Sequence, residues 1–272
     1  MNQEITANIR LDSTGDAQPM QLAPERALSP AAAKTFFIWT ALWWSLAGAC
    51  AMAFYFGALD FRDSSRISLY GISIWLNGWL LAFLVNRGAQ RSSNELYHDC
   101  LAIWMLSYAF TNLVWEIPWI IFSPILFVDM SSLDDLLAHT EYMRESLLHM
   151  YWWSLGSFAS VDLRTINGDP TFYTLELYAF VNLATIIWFF HLNKKRSPHR
   201  YLVAVLGCGE PVASTFIFSF TEVFADFENM TGGVADTLLA LVWTQYQYFL
   251  FPLIFGALGV KLLREDWRHS NA

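Results

Sequence analysis

A chain of 272 residues with 55% hydrophobic and only 15% charged residues is too apolar for an ordinary soluble domain, in which about a quarter of side chains are charged. Its formal net charge of −8 argues against a nucleic-acid partner. Six apolar runs, 35–57, 67–86, 100–128, 171–193, 201–221 and 237–260, are each long enough to cross a bilayer as a helix of roughly 20 residues. The predicted fold class is therefore all-α, a polytopic membrane bundle of about six transmembrane helices.

Residues 1–34 are polar and lack apolar periodicity, which predicts a disordered tail. The first apolar run starts too late and is too long for a cleavable signal. Run 67–86 carries Asn77. Run 100–128 contains "NLVWEIPWIIF", where Glu116 stands among Val114, Trp115, Ile117, Trp119 and Ile120 with no basic residue nearby. Asn112 lies four positions earlier and shares a helix face with Glu116, and Pro118 loosens the backbone beside that face. The long loop 129–170 includes "YMRESLLHMYWWSLGSF", whose apolar residues recur at helical spacing and predict an interfacial amphipathic helix. Glu176 and Asn182 follow in run 171–193, and Glu210 in "GCGEPV" of run 201–221. The last run holds Trp243, Gln245, Gln247 and Tyr248, and residues 263–272 form a short polar tail.

Threading the chain through six spans puts Lys34, Arg87, Arg91, Lys194, Lys195, Arg196, Arg200, Lys261, Arg264 and Arg268 on one side. The other side is acidic. Cytoplasmic loops retain Lys and Arg, so both termini are expected in the cytoplasm. Cys50, Cys100 and Cys208 have no CxxC spacing, and the six histidines form no HxxH or HxxxH pair. Neither a disulfide framework, a metal centre nor a cofactor is indicated. No GxSxG marks a nucleophile.

Ionisable groups inside a membrane are costly unless they face protein, a partner or water, so they mark function. Asn77 and Asn182 read as interhelical adhesion. Three carboxyls exceed what adhesion needs. Glu116 and Glu176 are assigned to a proton-transfer site with Asn112, and Glu210, nearer the boundary between the two readings, to substrate binding.

From Ser160 to Glu176, "SVDLRTINGDPTFYTLE" resembles the signature of the EXPERA superfamily, which includes emopamil-binding protein, a sterol delta-8 to delta-7 isomerase. Asp162, Arg164, Asp169 and Glu176 match that pattern without a gap. Asn112 and Glu116 are similar to the polar residue and Glu of the helix before the loop. Thr221 and Glu222 resemble the end of the penultimate helix, and Gln245, Tyr248 and Pro252 the last helix. The likeness spans 67–262, a five-helix core, and makes 35–57 an added N-terminal helix. It departs where the isomerase has His at Asn112 and Asn and Trp at Gln245 and Tyr248, and no acid is expected at Glu210.

The resemblance implies a protein that binds a hydrophobic cyclic lipid, a sterol or terpenoid, and isomerises a C=C bond by proton transfer. Glu116 and Glu176 would then be proton donor and acceptor, oriented by Asn112 and Gln245. Trp115, Trp119, Trp243 and Tyr248 would stabilise a carbocation. Asp162 and Arg164, with Asp169, would fix the loop at the pocket mouth, within reach of water. A terpene cyclase started by protonation and a non-catalytic lipid-binding or trafficking protein stay open, as does a homodimer.

Overall fold

A computed structural model of the protein describes residues 9–11, 17–19, 22–87, 91–145, 162–231 and 234–270. Six helical stretches are long and apolar enough to cross a membrane: Pro30–Tyr55, Phe61–Asn86, Ser93–Leu126, Pro170–Lys194, Arg200–Phe224 and Gln245–Ser270. The chain is an all-α polytopic bundle.

The first span is α1 (Pro30–Tyr55), begun by Ser29, whose hydroxyl accepts the Ala32 N–H, and by proline at the first helical position. It starts a few residues before the apolar run does. The preceding segment differs from the unstructured tail expected through residue 34. Ile9–Leu11 pairs with Ala17–Pro19 as two short antiparallel strands, β1 and β2, and residues 22–29 form a strap packed against one end of the bundle. Arg200 donates to the Pro24 carbonyl at 2.7 Å, Asn193 to the Arg26 carbonyl at 3.1 Å, and Asp99 accepts the Ser29 N–H at 3.0 Å. Arg26 and Arg200 both pair with the fully buried Asp266. Polar composition alone does not reveal this order, because the partners lie on helices far along the chain.

The second span breaks into α2 (Phe61–Trp75) and α3 (Gly78–Asn86). The indole N–H of Trp39 donates to the Trp75 carbonyl at the break, and the same ring would lie 2.8 Å from a Cβ at residue 78. Only glycine lets the two spans approach there. Asn77 donates to the Tyr246 hydroxyl at 2.8 Å, so it joins helices as the sequence reading has it.

The third span is α4 (Ser93–Thr111) continued by α5 (Ile117–Leu126), with a π-helical turn, Asn112–Glu116, between them. Two short helices follow, α6 (Leu133–Ala138) and α7 (Thr140–Met143). Most of the predicted interfacial helix falls on residues 146–161, outside the described ones. The fourth span is α8 (Pro170–Glu176) and α9 (Tyr178–Lys194), the fifth α10 (Arg200–Phe224), and the sixth belongs to α11 (Val234–Ser270). Packing of α10 against α11 and of α9 against α10 gathers the last three spans around the third.

The Arg26–Asp266 pair brings the strap and the end of α11 together. Cysteines introduced at Lys195 and Ser270 should therefore react with a membrane-impermeant thiol reagent from one side only, and one at Asp134 from the other. The three native cysteines are buried and should give little background. Labelling of positions 134 and 195 from the same side would rule out six crossings.

Candidate functional site

The π-turn has a local cause. Pro118 has no N–H to give the Val114 carbonyl, and its ring crowds that carbonyl, so the ladder slips and the Ile117 N–H reaches back to the Asn112 carbonyl instead. The slip sits where Asn112, Trp115 and Glu116 must be aimed. On the facing span, Asp169 caps α8 by accepting the Phe172 N–H at 2.8 Å, and Pro170 supplies the first helical residue. Glu176 ends that helix. Asp169 therefore helps set the direction of Glu176 from the far end of the same short helix.

These devices converge on one cleft. Glu116 from the third span, Glu176 from the fourth and Glu210 from the fifth line it together, and Gln245 and Tyr248 enter from the sixth. Trp115, Tyr108, Phe172 and Phe218 contribute aromatic wall. Its volume is about 90 Å³, a narrow space with room for a few waters. Lysine and arginine are absent from the described lining.

The surroundings of the three carboxyls differ. Glu210 Oε2 accepts from Asn182 Nδ2 at 2.9 Å and from the Tyr108 hydroxyl at 3.2 Å. Among the described residues, no side chain donates to Glu116 or Glu176. Asn112 is fully buried beside the cleft, and its Nδ2 donates to the Ala179 carbonyl at 3.3 Å and to Asn182 Oδ1 at 3.4 Å. It therefore reaches Glu210 through Asn182, a link between distant residues that the four-residue spacing to Glu116 does not disclose.

Two of the aromatic assignments differ from expectation. Trp119 is fully buried behind the wall, with ring centroids 4.8 Å from both Phe172 and Tyr173, so it supports the lining rather than forming it. Trp243 is 39% exposed, packs on Tyr70 and Tyr246, and is not among the described lining residues. The sequence reading also misses Tyr108, Phe172 and Phe218. In an apolar run nothing separates a cleft aromatic from a core aromatic until the helices are packed.

Asp162 and Arg164 are not in water. Asp162, Arg164 and Glu222 are all at most 2% exposed. Arg164 pairs with Asp162 through Nη2 at 2.7 Å and with Glu222 through Nε at 2.9 Å, and donates to Thr221 Oγ1 at 2.8 Å. Burial follows from the backbone: the Leu163 N–H donates to the Asn229 carbonyl at 2.8 Å, and Asp162 bridges Met230, so the loop after α10 covers the cluster. The guanidinium lies 4.1 Å from the centre of the Phe218 ring, whose other surroundings include the cleft. Arg164 is thus spent on its own two carboxylates and on holding a wall residue.

Comparison with known proteins gave no match to a family model, a curated protein or a solved structure.

Proposed function

We propose that this is an EXPERA-like membrane protein whose cleft binds a hydrophobic cyclic lipid, a sterol or terpenoid, and isomerises a C=C bond by proton transfer. On this reading spans two to six are the core and α1 is an addition. The observation that carries it is the convergence of three carboxyls from three spans on one aromatic-walled cleft lacking a described lysine or arginine. Such groups are costly in a membrane unless they face protein, a partner or water, so three in one cleft support a functional role. Alkene isomerisation needs a group that gives a proton to one carbon, a group that takes one from its neighbour, and an electron-rich wall for the cation between the two steps. Carboxyls supply the first two. Trp115, Tyr108 and Tyr248 supply the third.

A second reading is cyclisation started by protonation, which would use the same carboxyls and aromatic wall. Both reactions place a solvent-derived proton on carbon. The test is incubation of the purified protein in heavy water with the lipid that copurifies with it, followed by mass spectrometry. Deuterium on carbon supports proton transfer, and the product then separates an isomer from a ring. Unlabelled lipid, also with added sterol and isoprenoid alkenes, would leave only binding.

A further inference from the structure

Three carboxyls cannot play equal parts in one cleft. With no cation in the described lining, each negative charge adds to the cost of the next, so the site tolerates few ionised groups at once. The charge belongs where donors point. Asn182 Nδ2 and the Tyr108 hydroxyl both converge on a single oxygen of Glu210, whereas no described side chain donates to Glu116 or Glu176. Donors that converge on a carboxylate favour its charged form, and hydrogen bonds to an ionised acceptor are about twice as strong as neutral ones.

We infer that Glu210 is the proton acceptor of the cleft, positioned by Tyr108 and Asn182, while Glu116 and Glu176 hold the protons. The assignment rests on the acid–base reading of the site and separates the acceptor from the two carboxyls that hold protons. An O–H of Glu116 or Glu176 adds its proton to one alkene carbon, leaving a carboxylate and a carbocation. The C–H bond on the adjacent carbon then breaks, its electrons form the new double bond, and its proton goes to the Glu210 carboxylate. One proton has moved between carboxyls and no oxidant or reductant is needed. Return of that proton resets the cleft, which has room for bridging water. Asn112 acts through Asn182, whose Oδ1 it holds, so that the amide of Asn182 faces Glu210 with its donor.

Dicyclohexylcarbodiimide tests the assignment without any substrate, because this apolar reagent needs a protonated carboxyl: the acid proton moves to nitrogen and the oxygen bonds to the carbodiimide carbon. The full-length wild type in lipid bilayers is treated and the modified residues are mapped by peptide mass spectrometry. Glu116 and Glu176 should be modified, and Glu210 about tenfold less, equivalent to ~1.4 kcal/mol. Modification of Glu210 to the level of the other two, or failure to modify Glu116 and Glu176, would overturn the assignment. Infrared difference spectra between wild type and Glu210→Gln give a second readout: the variant should lose a carboxylate band, and loss of a protonated-acid carbonyl band would contradict the proposal. Tyr108→Phe keeps the ring and removes one donor, so it should raise modification of Glu210 while a purely structural role for Tyr108 would not. Since no lipid turnover is measured, this labelling pattern can hold even if the heavy-water experiment fails, and can fail even if that experiment succeeds.

Discussion

Glu116→Gln or Glu176→Gln, whichever removes the group that protonates the alkene, should lower deuterium incorporation into the bound lipid by about 10² to 10⁴-fold, the effect of losing one positioned acid. That corresponds to roughly 3 to 5 kcal/mol of barrier. Glutamine keeps the size and the polar end of the side chain but has no acid proton to give. Both residues line the cleft without a described donor, so the substitution should leave their neighbours in place. Lipid binding is expected to stay within about tenfold, or ~1.4 kcal/mol. A cleft that only stores lipid would tolerate both changes and show no label in the wild type. Label retained in both variants would remove these two carboxyls from the chemistry and leave Glu210 as the acid to examine.

Arg164→Met should destabilise the folded protein by about 3 to 5 kcal/mol, because Asp162 and Glu222 would remain buried without their shared cation. In a thermal unfolding experiment the loss should be on the order of 10 °C. Arg164→Lys should recover only part of it. The planar fork contacts Asp162, Glu222 and Thr221 at once, and a single ammonium lacks that reach. Activity per folded molecule should fall less than stability does, since among the described residues Arg164 meets the cleft through Phe218. A variant of unchanged stability with a large loss of turnover would instead make Arg164 part of the chemistry.

The two sites differ in how the chain announces them. Glu116, Glu176 and Glu210 are conspicuous in sequence because each interrupts an apolar run, and a carboxyl in hydrocarbon must have a reason to be there. The Asp162–Arg164 pair is also visible, but its burial is not. The covering strand of chain around Asn229 and Met230 comes from the other side of α10, and no local pattern connects the two loops. The same holds for residues 22–29, whose polar composition suits an open tail until Arg200, Asn193, Asp99 and Asp266 are brought to them.

By itself the sequence determined the six apolar spans, the loosened backbone beside Pro118 and the carboxyls that interrupt those spans. These follow from hydropathy and from proline's missing N–H, both of which act within a few residues. Tertiary structure alone decided that the three carboxyls share a cleft, that Asn182 and Tyr108 both aim at Glu210, and that Phe172 and Phe218 line the cleft while Trp243 packs on Tyr70. The physical reason is that most of the surface of these helices is apolar. Hydrophobicity tells such a helix to enter the membrane but gives it no preferred face, and the choice is made by side-chain packing against neighbours that are far away in the chain.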